Sequence, residues 1–261
     1  MPLSPELYIL PEIAGNFFKT NLGQDVIKSL ILGRKDRDLV TDSKRLLAQF
    51  EKYKHIELTG LQNINTGCLV AFNHPNMDVL MPTFLDLIVK VNDLGRKLHL
   101  VMASEIMIFA RLNDKKALPG SIKFMERFHS MYGGSIISTP TVTSRKDFTA
   151  GRVASVRKIL EVLKKGDVVA ISPEGHIEVD GKISPPETLH DGAGAIARFI
   201  SKFNIPVVPV GFWGDKNASE LYTKIGAPFF TNGNTDRDRS LQIMGEIANL
   251  LPNDLRGHFA K

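Results

Sequence analysis

Apolar residues along this chain follow two rhythms. Short unbroken runs alternate with longer stretches in which apolar positions recur every three or four residues. "HIELTGL" and "CLVAF" predict strands around a turn at "NINTG". Further strands are predicted in "KLHLVMAS", "GSIIST", "DVVAIS" and "IPVVPVGF", with one more in "KIGAPF". The continuous run in "DVVAIS" suits a strand buried on both faces. Helical spacing predicts helices over 75–90 with a kink at Pro82, near 104–112, over 121–132, 145–165 and 191–203, and through "TDRDRSLQIMGEIANLLP". Three more precede the first strand: "SPELYILPEIAGNFF", interrupted by Pro11, then "GQDVIKSLILGRK", then 41–53 entered at Asp42 or Ser43 as cap. Strands separated by helical segments imply an α/β fold, with a mixed, largely parallel sheet covered by helices on both faces. Residues 1–40 read as an N-terminal helical appendage and 41–261 as the main domain.

Composition narrows this picture only slightly. A length of 261 residues can bury a sizeable core, and 43% hydrophobic with 23% charged residues is ordinary. The net charge of +5 fits anionic partners without choosing among them. A single cysteine, Cys68, rules out an internal disulfide and a cysteine zinc cluster, and fits a reducing compartment. No run of about 18 apolar residues or secretory signal is visible. The expectation is a cytoplasmic protein, soluble or peripheral to a membrane.

Candidate chemistry gathers where "CLVAF" passes into the next helix through Asn73, His74 and Pro75, with Asp78 four positions after the histidine. Pro75 suits the first turn of a helix and pushes His74 out of the helical region, so His74 is expected at or near the cap with Asp78 one turn inside. The C-terminal edge of an α/β sheet is where such folds place ligands. There, a carboxylate on one ring nitrogen would fix the tautomer and leave the other free to take a proton. The plainer account is that His74 and Asn73 cap a helix while Asp78 faces solvent. A second buried strand, "GDVVAIS", likewise ends in Pro173, Glu174, Gly175 and His176, and a third follows in "NIPVVPVGFWG".

Taken in order, "NHPNMD", "GGSIIST", "SPEGH" and "IPVVPV" resemble the four blocks of the glycerolphosphate and lysophosphatidate acyltransferase superfamily. The likeness covers roughly residues 50–230. It implies that His74 is the general base toward an acceptor hydroxyl, that Asp78 orients it, and that Glu174 and Gly175 help position the acceptor. The freed alkoxide would attack an acyl thioester of coenzyme A or acyl carrier protein. These are co-substrates, and neither cofactor nor metal is implied. The chain departs from the pattern in three places. Three residues rather than four separate His74 from Asp78, the second block lacks its arginine, and His176 and Ile177 replace Thr-Arg. Either the acceptor is then not an ordinary glycerol phosphate, or Arg145, Arg152, Lys182 or His176 substitutes for the missing cations.

"GAGAIA" at 192–197 follows no strand, so close helix packing explains it better than a dinucleotide site, although Gly192 also allows a substrate to approach. The amphipathic N-terminal helices read equally as an interfacial anchor or as elements packed on the core. The expected activity is transfer of a fatty acyl group to a lysophospholipid-type acceptor, by default lysophosphatidate, at a membrane surface and without nucleic acid. A silent lipid- or acyl-carrier-binding protein and a thioester hydrolase are the alternatives. Site residues are His74 and Asp78 for catalysis, and Asn73, Glu174, Gly175, His176, Arg145 and Gly192 for substrate.

Overall fold

The computed structural model describes residues 21–52, 54–109, 115–117, 119–141, 148–178, 181–215 and 217–260. Seven strands form one sheet in the order β1-β9-β8-β2-β7-β3-β6: β1 (His55–Thr59), β2 (Leu69–Phe72), β3 (Leu98–Ala103), β6 (Ile136–Thr139), β7 (Val168–Ile171), β8 (Val207–Gly214) and β9 (Glu220–Ile225). All neighbouring pairs run parallel except β8 with β9, so the sheet is mixed and largely parallel, as the patterning predicts.

The central strands β2 and β7 are buried at every position, and successive residues serve opposite faces. Leu69, Ala71, Val169 and Ile171 join a core closed by α5 (Phe148–Lys164), α6 (Gly192–Ser201) and α7 (Asp236–Ala248). Cys68, Val70, Phe72 and Ala170 join the opposite core, where α3 (Met77–Asp93) contributes Leu80, Phe84, Leu87, Ile88 and Val91. Against α3 lies α2 (Leu39–Phe50). Helix α7 starts with the capping box its Asp-rich sequence promises, Thr235 and Asp238 each satisfying the other's backbone N–H.

Residues 21–40, read from sequence as appendage, contain α1 (Asn21–Ile31), and its apolar stripe is spent on the domain. Leu22, Val26 and Leu30 pack against Met131, Tyr132 and Ile136 of α4 (Ser121–Met131) and its surroundings. Arg37 clamps Asp42 through two bonds of 2.7 Å, and the Tyr132 hydroxyl donates to the same carboxylate. That pairing explains why Asp42 does not cap α2. Asp38 does so instead, accepting from Thr41 N–H at 2.7 Å. The helix expected over residues 4–18 lies outside the described residues.

Two other elements differ from expectation. The helix predicted near 104–112 is replaced by a two-stranded antiparallel ribbon, β4 (Met107–Phe109) with β5 (Lys115–Ala117). The last strand is "ELYTKI" rather than "KIGAPF", and it buries alternate residues as a one-sided strand should.

Candidate active site

The register of the two central strands brings the first and third blocks together. Ala71 lies opposite Ile171 in the parallel β2–β7 pair, so three residues further along, His74 and Glu174 leave the same sheet edge side by side. On the other flank Phe72 pairs with Val210, which brings Phe212 up to Asn73.

Backbone-to-side-chain bonds then lock the junction. Asn73 is 1% exposed, and its amide is fully committed. Its Nδ2 donates to the Phe212 carbonyl at 2.9 Å and to Glu178 Oε1 at 2.8 Å, while Phe212 N–H donates to Asn73 Oδ1 at 2.7 Å. Glu174, wholly buried, accepts the N–H of His74 at 2.7 Å on one oxygen and that of Ser184 at 2.9 Å on the other. The carbonyl of His74 accepts the N–H of Glu178 at 2.8 Å. The histidine backbone is thus gripped from both sides by the third block. Glu174, which the resemblance sets toward the acceptor, and Asn73, expected at the substrate, both face inward and hold the His74 backbone.

His74 is half-buried, and burial lowers its pKa below the usual histidine value; the nearby His176 pushes in the same direction. At neutral pH its ring is therefore uncharged, the state a proton acceptor needs. Its Nδ1 is buried and makes no hydrogen bond. Asp78 does not supply one: its side chain is exposed, and the expected dyad is not made. The reason lies in the cap. Asn76, not His74, starts α3, its Oδ1 accepting from Val79 N–H at 3.1 Å, so His74 lies before the helix and the one-turn relation to Asp78 does not apply. Pro82 has no N–H to offer the Asp78 carbonyl four residues back, and Lys54 Nζ fills that gap at 3.3 Å while also reaching the Ala218 carbonyl at 2.6 Å.

The remaining expected residues divide. His176 uses both ring nitrogens, Nδ1 with the Glu174 carbonyl at 2.7 Å and Nε2 with the Ser184 hydroxyl at 3.0 Å, so it is structural in this arrangement and not a free cation. Gly175 has a φ of 66°, and a side chain there would press on the His190 ring. A Cβ at Gly192 would come within 3.2 Å of the Arg152 guanidinium, which also lies 5.1 Å over the Phe148 ring. Arg145 lies outside the described residues. Gly194 in the same segment is a packing residue, since a Cβ there would fall 1.8 Å from the Asp236 carbonyl oxygen.

Glu178 and Ser184 were not singled out by sequence. Their partners are 105 and 10 residues away respectively, and no local spacing announces the pairing. Among the described residues, no group of three or more His, Cys, Asp or Glu side chains is placed to hold a metal ion.

Comparison with known proteins agrees with the ordered blocks. No curated protein sequence matches the chain. Among solved structures, the 1-acyl-sn-glycerophosphate (LPA) acyltransferase PlsC from Thermotoga maritima is similar at 18% identity, over 92% of this chain and 91% of that one, with a TM-score of 0.46. The sequence model of the Acyltransferase family matches residues 55–213, well over half of the chain and inclusive of all four blocks. The chain belongs to the Acyltransferase family and is an acyltransferase.

Proposed function

We propose that the protein transfers a fatty acyl group from a coenzyme A or acyl-carrier-protein thioester to the hydroxyl of a lysophospholipid-type acceptor, with lysophosphatidate the first candidate, in phospholipid biosynthesis. The observation that carries this reading is His74, an uncharged imidazole at the sheet's C-terminal edge whose backbone is fixed by Glu174 and Glu178. As general base it takes the proton of the acceptor hydroxyl while that oxygen attacks the thioester carbonyl. Collapse of the tetrahedral intermediate expels the thiolate, which the imidazolium protonates. The thioester is already activated, so the site's task is positioning and proton transfer.

Arg152 is the cation we assign to the acceptor's phosphate or to the donor's. It is exposed beside Gly192 and Phe148, whereas His176 is committed to Glu174 and Ser184. Association with a membrane surface is supported by Ile31 and Leu32, 72% and 58% exposed at the end of α1 next to Arg34 and Lys35. None of the described helices is long and apolar enough to cross a bilayer.

The test is thiol release from acyl-CoA and acyl-carrier donors, with and without lysophospholipid acceptors, for wild type, His74→Ala, Asp78→Asn and Arg152→Ala. Acceptor-dependent release that His74→Ala abolishes, with a raised acceptor or donor KM in Arg152→Ala, supports the reading. Near-normal activity in Asp78→Asn is expected from its exposed position; a loss as deep as that of His74→Ala would show that Asp78 reaches the ring during turnover. Release that ignores the acceptor identifies a thioester hydrolase, and a folded protein silent across the panel identifies a binding protein.

A further inference from the structure

Two residues past the third block stands a second acid, Glu178, for which the reaction as described has no use. Glu178 is 8% exposed and Glu174 is wholly buried, so two carboxyl groups share the packed ground between the ends of β2 and β7. Among the described residues, no lysine or arginine bonds to either one. The charged group facing Glu178 is Glu174, from the end of β7. The imidazoles of His74, after β2, and His176, in its own loop, stand at the same junction, while β8 contributes only the Phe212 main chain through Asn73.

Two carboxyls in one water-poor space do not both ionise cheaply. Glu174 accepts a backbone N–H on each oxygen, so both oxygens are committed as acceptors. Among the described residues, Glu178 receives only the Asn73 amide on its side chain. The proton therefore belongs on Glu178. A negative charge there would add a second anion beside Glu174 at the junction that holds the His74 backbone. A neutral acid gives Asn73 the same acceptor without that effect.

We propose that Glu178 is a positioning residue for the acyl-transfer base: as a neutral carboxylic acid it holds the Asn73 amide against β8 and, through its own N–H, the His74 backbone against the third block. The inference rests on His74 acting as the base. Burial first, and then the charge of Glu174, push the Glu178 carboxyl up to about 8, in keeping with the geometry.

The experiment compares the full chain as wild type, Glu178→Gln and Glu178→Ala. Infrared difference spectra between wild type and Glu178→Gln, taken from pH 6 to pH 10, read the protonation of Glu178 without any need for activity. A protonated-carboxyl band at neutral pH that fades as pH passes about 8 is expected; its absence at neutral pH overturns the proposal. Proton NMR of the His74 ring should show a second inflection over the same range in wild type and none in Glu178→Gln, and a wild-type ring with no such inflection also overturns it. In the thiol-release assay, Glu178→Gln keeps the amide's acceptor and should hold kcat within about threefold while losing any alkaline decline, whereas Glu178→Ala should lower kcat about 10- to 100-fold with KM little changed. A fully active Glu178→Ala, or a folded Glu178→Gln as poor as Glu178→Ala, refutes the positioning role. If the wild type transfers nothing, the acyltransfer reading is what fails, and the band and the ring titration still decide the state of Glu178.

Discussion

Replacing Glu174 with glutamine exchanges one oxygen for an NH₂ group at the centre of the site. Both carboxylate oxygens are engaged, by His74 N–H at 2.7 Å and Ser184 N–H at 2.9 Å, and neither bond is open to water. Glutamine can serve one of those donors with an uncharged oxygen and must turn its own N–H bonds toward the other. A hydrogen bond to a charged group is worth roughly 1.5–3 kcal/mol and a neutral one about 1 kcal/mol, while a buried donor left unpaired costs about 1–3 kcal/mol. Losing one bond and weakening the second therefore destabilises the fold by about 2–4 kcal/mol. For a domain of this size that lowers the melting temperature by roughly 5–15 °C. Urea unfolding at fixed pH is the direct assay, with the midpoint falling and the slope unchanged. Activity measured well below the transition should drop about a hundredfold if the His74 backbone shifts by an ångström. A variant within about 0.5 kcal/mol of wild type, still fully active, would refute the claim that Glu174 holds the His74 backbone in place.

Three further outcomes follow from the same geometry. Because burial holds the His74 pKa below 6.5, the unfolded chain takes up that proton first, so stability should fall as pH drops below about 6.5; His74→Ala should flatten that part of a urea-midpoint profile. Cys68 is 1% exposed with its thiol pushed up to about 12, so an aromatic disulfide reagent at pH 8 should leave the native protein unlabelled and react once urea unfolds it. Gly194→Ala would drive a methyl group to within 1.8 Å of the Asp236 carbonyl oxygen and 2.9 Å of Ser240 N; separating α6 from α7 should destabilise the fold by about 3 kcal/mol or more, and a melting temperature equal to wild type would contradict the packing described.

The buried strands could be read directly because β2, β7 and β8 are runs of apolar residues bounded by turn chemistry. The ribbon at 107–117 could not, because a short apolar run such as "IMIF" suits either a helix or a strand. Helix entry points were displaced for a related reason. Asp42 and His74 have the chemistry of caps, but tertiary partners claim them: Arg37 takes Asp42, and Glu174 and Glu178 take the His74 backbone, leaving the caps to Asp38 and Asn76. The family blocks located His74 and Glu174 correctly at one sheet edge. They did not reveal that Glu174 and Asn73 point inward, since direction depends on the register between strands and on partners more than a hundred residues away. Asp78 shows the reverse case, a carboxylate at the right distance in sequence that the cap at Asn76 leaves facing solvent.

The proline inside α3 ties the start of that helix to its neighbours. An unbroken ladder would bind its first turn to the rest, and moving Asp78 would mean unwinding. Here the rung between residues 78 and 82 is absent, and the side chain of Lys54 stands in for it from outside the helix. The first turn stays seated all the same, because Val79 and Leu80 are buried and the Thr83 hydroxyl donates to their carbonyls at 2.7 and 3.1 Å. Lys54 thereby joins the start of α3, the entry to β1 and the turn between β8 and β9 at one point, so removing its ammonium would strip a donor from two carbonyls of separate elements at once.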